Sequence, residues 1–476
     1  MTDKHFDVVV IGSGPGGYIA GLRAAAQGAR TMVVERHHLG GTCLNYGCIP
    51  SKALLSSAEL LHTLQHAGDW GLTIEGAIGC DWQRVTGHKD RIIRQLRGGI
   101  ANLFKGRRVL SLAGEGSFEA PGRVVVTPED GAPQVVTGDK VLVATGSVPS
   151  RIPGWPDDPE RVCTSDEAVH WTSLPPRLLI VGGGVIGCEF ACMMQAFGVQ
   201  VTVVEMLSSL IPTMDIELGQ ALGKIFKKRG IACHLETKID GLEIDGEGRV
   251  QAQLSSGESA VFDRVLVATG RSPNTRGLQL ERARIETTRR GFIPVNDLLE
   301  TNVGGHYAIG DVNGRCLLAH AASAHGVAAV ENALGANKPF TSPIPSAVYT
   351  FPEVGAVGLT EAEAREQGLP IALGRFPIGH LGKAMAARHP EGFVKTIRHR
   401  ETGQLLGVHM LGAHATECIA AATALLHMKA SMHDVAETVW AHPTISESIK
   451  ESAEDALNLG LHLPPRKILR GAVGTA

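Results

Sequence analysis

Two thiols set close together can exchange electrons, and Cys43 and Cys48 form such a pair. They sit in Gly40-Gly41-Thr42-Cys43-Leu44-Asn45-Tyr46-Gly47-Cys48-Ile49-Pro50-Ser51-Lys52. On a regular α-helix, positions i and i+5 lie roughly 8 Å apart at Cα, whereas a disulfide needs less than ~7 Å. If the two bond, the segment must leave regular helix between them. Asn45 and Gly47 tolerate unusual backbone angles, and Pro50 suits a first helical turn. The positive end of a helix starting there would favour a thiolate at Cys48. Taken alone, the pair has two readings: reduced structural cysteines in a loop, or a redox couple.

His442 and Glu447 supply a second chemistry, with Pro443 just after the histidine. Histidine moves protons near neutral pH, and a carboxylate on its ring fixes the tautomer and raises its basicity. Dithiol exchange needs such a base. A surface histidine beside an unrelated glutamate explains these two residues equally well until something ties them to the thiols.

The elements that must position these groups are duplicated. Val8 to Ile11 reads as a strand, Gly12-Ser13-Gly14-Pro15-Gly16-Gly17 as a tight turn and Tyr18 to Gln27 as a helix. Thr31 to Glu35 is a second strand ending in an acid. Gly12 makes the turn, Gly14 lets a pyrophosphate approach and Gly17 packs helix on strand. The helix N-terminus faces the phosphates and Glu35 takes ribose hydroxyls. The unit recurs from Leu178 to Glu205, with Gly182, Gly184 and Gly187 in the turn and the same spacing from first glycine to acid. Val-Leu-Val-Ala-Thr-Gly then closes each copy, at Thr145-Gly146 and at Thr269-Gly270. One fold is used twice, for two dinucleotides. The first copy is longer, and Cys43 to Lys52 plus a helical run from Ala53 to about Phe104 account for the difference. Glu205 would repel a 2′-phosphate, which favours NAD over NADP.

Bulk properties exclude several classes. The chain has 476 residues, room for roughly three or four domains. A net charge of -3 invites neither nucleic acid nor an anionic membrane. No apolar run reaches the ~18 residues of a membrane span, and no signal peptide is evident at the start. Nine cysteines without framework spacing point to a reducing compartment, and a cytoplasmic location is expected. Proline-rich joints at 149–159, 174–176 and 337–345 separate the halves and a final α+β part.

With these residues in view, the chain resembles the pyridine nucleotide–disulfide oxidoreductase family. The likeness rests on the Cys43–Lys52 motif, Ala308-Ile309-Gly310-Asp311-Val312, Tyr349 to Gly358 and Ala441-His442-Pro443-Thr444-Ile445-Ser446-Glu447, and it covers the whole chain. Pro50-Ser51-Lys52 and Leu318-Ala319-His320 favour the branch that oxidises dihydrolipoamide. The resemblance implies an α/β fold with two Rossmann-like dinucleotide-binding domains, for FAD and NAD, and a C-terminal α+β dimerisation domain. Its implied limits are 1–150 for the FAD domain, 151–275 for the NAD domain, 276–345 for a return segment and 346–476 for the interface domain.

It further implies a Cys43–Cys48 redox disulfide, with Cys48 against the flavin and Cys43 exchanging with substrate. FAD contacts would come from Gly12, Gly14, Gly17, Glu35, Thr42, Lys52, Gly116, Thr145, Gly146, Gly310, Asp311, Leu318, Ala319 and His320. Lys52 would pair with Glu189. NAD would lie on Gly182, Gly184, Gly187, Glu189, Glu205, Ile239 and Gly270. His442 and Glu447 would act from the second subunit of a homodimer. The reaction implied is oxidation of protein-bound dihydrolipoyl groups with reduction of NAD, the lipoyl domain being carried on a separate acyltransferase or carrier protein.

Two alternatives stay open: a related reductase acting on another disulfide, quinone or metal-ion acceptor, and a flavoprotein that is a structural part of a 2-oxoacid dehydrogenase assembly. Departures from the branch are Tyr46, where a small aliphatic residue is usual, and an uncharged Ala321-Ala322-Ser323-Ala324-His325. Cys188 and Cys192 read as buried core and not as metal ligands, since no partners stand at zinc spacing. Arg91 to Arg97 reads as a solvated helix face.

Overall fold

The computed structural model describes residues 4–464. They divide into two compact units. The first holds the described residues up to Met206 together with Glu236–Thr341, and the second holds Leu207–Leu235 and the described residues from Ser342 onward.

The first unit contains both copies of the repeat. Strands β1 (Lys4–Ile11), β2 (Thr31–Glu35), β3 (Leu110–Ala113), β4 (Glu115–Ala120), β5 (Arg123–Thr127) and β6 (Gln134–Val143) form a sheet in the order β3-β2-β1-β6-β5-β4. The pairs β3–β2, β2–β1 and β1–β6 are parallel, and β6–β5 and β5–β4 are antiparallel. Val8, Val9 and Val10 are fully buried on both faces of the sheet, the pattern expected of a parallel strand covered on both sides. The short strand His306–Ala308 returns from far along the chain to pair with Val141–Val143.

Four helices follow the sheet's first strands: α1 (Pro15–Ala26), α2 (Gly41–Asn45), α3 (Cys48–Gln65) and α4 (Trp82–Arg107). The helical run expected from Ala53 onward is thus two helices, parted by a 3-10 turn at Ala67–Trp70 and an irregular stretch. That stretch carries Gly71, Gly76 and Gly79, which weaken helix.

In the second copy, Gln200–Val204, Arg177–Val181, Arg264–Val267 and Val162–Thr164 lie side by side in that order, all parallel. The strand drawn from Val-Leu-Val-Ala-Thr-Gly therefore pairs with its own fingerprint strand in both halves. The residues just past each repeat then pair with each other: Ser147–Pro149 runs antiparallel to Arg271–Pro273. Cys188 and Cys192 are fully buried in helix Val185–Ala196.

The second unit is α+β. Its antiparallel sheet runs Ser346–Val348, Glu353–Gly358, Leu405–Gly412, Phe393–His399, Ile371–Pro377. Helices Ala415–His427 and Glu447–Ala456 bury Ile419, Ala422, Ile449 and Ala453 in one core with Val394, Val408 and Met410. Lys395 is fully buried there. Its ammonium reaches Asp215 at 2.9 Å and Glu217 and Glu361 at 2.7 Å, so the charge is neutralised rather than exposed.

Candidate active site

The helix breaks between the two cysteines. Helix α2 ends at Asn45, α3 begins at Cys48, and Gly47 between them takes φ −130° and ψ −105°. A Cβ on Gly47 would stand 3.3 Å from the Thr42 carbonyl oxygen, tighter than is usual. Cys48 is the first residue of an 18-residue helix, where unpaired N–H groups favour negative charge.

Both cysteines are thiols in this structure and hydrogen-bond to one another. That bond, with burial adding to it, pushes the Cys43 thiol up. The same bond draws Cys48 down against its burial, and the Lys52 ammonium adds to the effect. The helix start at Cys48 and the Lys52 ammonium one turn on favour negative charge at Cys48 over Cys43. Elsewhere burial pushes Cys163 up to about 12 and Cys233 and Cys418 up to about 11, so these thiols are inert by comparison.

Lys52 lies one turn after Cys48 on α3. Its Nζ donates to both carboxylate oxygens of Glu189, at 2.9 and 2.8 Å. Glu189, only 5% exposed, sits on helix Val185–Ala196 of the second copy. A cation is thereby fixed beside the dithiol by the other nucleotide half.

The two glycine turns repeat in detail. Gly12 and Gly182 have φ +100° and +109°, and a Cβ on either would fall 2.4–2.5 Å from the carbonyl oxygen of Ala144 or Ala268. At Gly17 and Gly187 a Cβ would meet the first glycine's oxygen at 1.9 Å, whereas Gly14 and Gly184 face open space. That open side at a helix start is where a pyrophosphate approaches. Glu35 Oε2 accepts from the Ser13 N–H at 2.9 Å, and Glu205 Oε2 from the Gly183 N–H at 2.6 Å. Each acid is held at the mouth of its turn.

Gly116 lies on β4 so close to β1 that a Cβ would reach Ile11 Cγ2 at 3.0 Å. Gly310 has φ +70°, and Asp311 follows it in a buried 3-10 turn. Ser147 Oγ donates to Asp311 Oδ2 at 2.5 Å. Burial pushes this carboxyl up, opposed by Ser147 and by the Arg271 charge. Leu318 caps helix Ala319–Ala333, with Ala319 and His320 in its first turn. Thr42 is on α2, and Thr145, Gly146 and Gly270 follow the repeat strands. Ile239 stands on an outlying hairpin, paired with Leu254. The residues present fit two dinucleotides, one per fingerprint.

In the second unit, His442 Nδ1 is 2.9 Å from Glu447 Oε2. Glu447 opens helix Glu447–Ala456, and its Oε1 accepts from the Thr444 N–H at 3.1 Å. The imidazole itself is mostly exposed, with its other nitrogen free to face a reactant.

Several groups in the site were not anticipated from the sequence. Arg271 Nε donates to Ser147 Oγ at 2.7 Å, completing a line from Arg271 through Ser147 to Asp311. Ser147 and Arg271 are sister positions, each directly after Val-Leu-Val-Ala-Thr-Gly, and aligning the repeats could have marked them. Arg97 does not simply face solvent. Its Nε and Nη2 donate to Asn45 Oδ1 at 3.2 and 2.6 Å. Tyr46 meets His170 edge-on, with ring centroids 5.7 Å apart.

Known proteins resemble this chain. A profile for pyridine nucleotide-disulphide oxidoreductases matches residues 6–326, and one for the dimerisation domain of the same group matches 344–453. The chain belongs to the pyridine nucleotide-disulphide oxidoreductase family, whose members use FAD and NAD, and its dimerisation domain supports assembly as a homodimer. Relatives named dihydrolipoyl dehydrogenase match end to end. That of Thermus scotoductus is 40% identical over 97% of this chain and 99% of its own. That of Chlamydia trachomatis is 37% identical over 98% and 100%, and the mitochondrial protein of Pisum sativum 39% over 96% and 92%. Among solved structures, LpdA from Mycobacterium tuberculosis superposes with a TM-score of 0.88 at 28% identity, covering 95% of this chain and 99% of that one.

Proposed function

We propose that this chain oxidises protein-bound dihydrolipoyl groups to lipoyl with reduction of NAD+ to NADH, as an FAD-dependent dihydrolipoyl dehydrogenase. The observation that carries the reading is the thiol pair set across the break between α2 and α3, with the Lys52–Glu189 cation one turn beyond Cys48. End-to-end likeness to proteins of that name supports the substrate class. Among the described residues no helix is long and apolar enough to cross a membrane. We place the enzyme in the cytoplasm, with its lipoyl carrier on a separate chain, and keep the domain limits 1–150, 151–275, 276–345 and 346–476.

Catalysis starts from the Cys43–Cys48 disulfide. A dihydrolipoyl thiolate attacks the Cys43 sulfur, and Cys48 leaves as a thiolate stabilised by the α3 N-terminus and Lys52. The second substrate thiol then attacks its own sulfur in the mixed disulfide, which forms the lipoyl disulfide and frees Cys43. Of the two substrate thiol protons, one ends on the freed Cys43 and one on His442 contributed by the second subunit of the homodimer, whose tautomer Glu447 fixes. Two electrons now rest on the pair. A bound FAD would supply the two-electron chemistry that links such a thiolate to NAD+. Gly12, Gly14, Gly17, Glu35 and Asp311 would hold the flavin nucleotide, and Gly182, Gly184, Gly187 and Glu205 the NAD.

The test is steady-state NADH formation from dihydrolipoamide and NAD+ by the purified flavoprotein. Rapid turnover is expected. Negligible turnover beside fast NADH-driven reduction of another disulfide, a quinone or a metal ion would replace this reading with that of a different reductase.

A further inference from the structure

The two central residues between the cysteines are each held by the same helix. Asn45, 2% exposed, has every side-chain group engaged: Nδ2 donates to the carbonyls of Leu39 at 3.1 Å and Gly41 at 2.8 Å, and Oδ1 accepts the Arg97 fork. Tyr46 packs edge-on against His170. His170 Nδ1 is 3.3 Å from the Lys89 ammonium, which is 2% exposed and donates to the Val169 carbonyl at 2.8 Å. The Trp82 indole N–H donates to the Trp171 carbonyl at 2.9 Å. Trp82, Lys89 and Arg97 all belong to α4, so one helix grips Asn45 directly and Tyr46 through the 169–171 segment.

The grip opposes a specific failure. Helices α2 and α3 are separated only by Tyr46 and Gly47. Pro50, which lacks an N–H and would clash with the Tyr46 carbonyl, keeps one regular helix from running through both cysteines, but the two-residue joint leaves the five-residue α2 able to swing away from α3. A swing that carried the two Cα atoms beyond ~7 Å would put the thiols out of reach of a disulfide. While the pair is oxidised the S–S bond itself forbids this; once it is reduced, only non-covalent contacts do. Arg97 holds Asn45, the last residue of α2, and the Tyr46–His170–Lys89 contacts hold the first residue of the joint.

We propose that Arg97 and Tyr46 are positioning residues of the redox centre: they keep the reduced thiols within bonding distance and so set how readily the disulfide re-forms. The inference rests on Cys43 and Cys48 being the redox pair of the proposed function. It predicts a change in the dithiol–disulfide equilibrium without a matching change at the nucleotide sites.

The experiment uses the full, FAD-loaded chain as wild type, Arg97→Gln, Arg97→Lys and Tyr46→Leu. The Cys43–Cys48 pair is equilibrated with glutathione buffers, and its oxidised fraction is read by alkylation and mass spectrometry. NADH-driven reduction of a dye that takes electrons from flavin is measured alongside. Arg97→Gln should make disulfide formation about tenfold less favourable, the size of one charge-assisted hydrogen bond. Arg97→Lys should recover part of the loss, Tyr46→Leu should shift it the same way, and dye reduction should stay within about twofold. An unchanged equilibrium in Arg97→Gln and Tyr46→Leu overturns the inference. If Arg97→Gln does not fold as a flavoprotein, an unchanged equilibrium in Tyr46→Leu overturns it alone. A shifted equilibrium in a wild-type background that never oxidises dihydrolipoamide would remove the proposed function and keep this inference.

Discussion

Lys52 of the first nucleotide half donates to both carboxylate oxygens of Glu189 in the second half, at 2.9 and 2.8 Å. The pair puts a positive charge one turn from Cys48 and ties the dithiol helix to the helix behind the second fingerprint. Replacing Lys52 with Met should raise the pH at which Cys48 becomes alkylatable, because the cation that lowers this thiol is gone. The readout is the pH dependence of iodoacetamide labelling in the NADH-reduced protein. A midpoint that stays put or falls counts against the account.

Glu189→Gln should cost stability. Removing one partner of a buried pair typically costs about 3–5 kcal/mol; because Lys52 is partly exposed, water offsets some of that, and about 1–3 kcal/mol is expected. Urea unfolding followed by circular dichroism measures it. A neutral result would mean that the pair contributes nothing to holding the halves.

His442→Gln should lower dihydrolipoamide turnover by roughly 10²–10⁴, the range for loss of a positioned general base. Dye reduction by NADH should persist, since it bypasses the dithiol. Glu447→Gln should show a smaller loss, because the 2.9 Å bond to Nδ1 orients the ring without touching substrate.

Glu205→Ser should relax nucleotide choice. The carboxylate stands at the turn, bonded to the Gly183 N–H at 2.6 Å, where it would repel a 2′-phosphate. Preference for NAD+ over NADP+, read as a kcat/KM ratio, should fall by about tenfold or more.

Much of this was legible because it is local. Fingerprint, acid and closing repeat are short motifs whose spacing encodes strand–turn–helix–strand, and the i to i+5 cysteine spacing requires a broken helix if the two cysteines bond. Contacts such as Arg97 with Asn45, or Tyr46 with His170, join residues with no periodic relation, so neither hydrophobic pattern nor turn chemistry signals them. His306–Ala308 is too short to show an alternation, yet it completes the first sheet. Lys395 lies in strand Phe393–His399, but nothing local shows that three carboxylates from 215, 217 and 361 converge on it.

Acid sensitivity should come in part from His325. Burial pushes its imidazole down to about 4, and its ring meets Phe340 edge-on at 4.8 Å. The folded state therefore favours the neutral ring, while the unfolded chain takes up a proton below about 6.5. Stability from this residue is complete above that pH and is lost as pH falls from about 6.5 toward 4. Denaturant midpoints across this range should fall less steeply in His325→Leu than in wild type, and equal slopes would assign the acid loss elsewhere.

The central claim is that Cys43 and Cys48 cycle between disulfide and dithiol while electrons move to and from a bound nucleotide. Anaerobic alkylation of the FAD-loaded protein, mapped by mass spectrometry before and after one addition of NADH, tests it most directly. With the protein unfolded anaerobically at the moment of alkylation, both cysteines should resist labelling as purified under air and both should label after NADH, with the other thiols unchanged. Labelling of both before NADH, or of neither afterwards, would contradict the account.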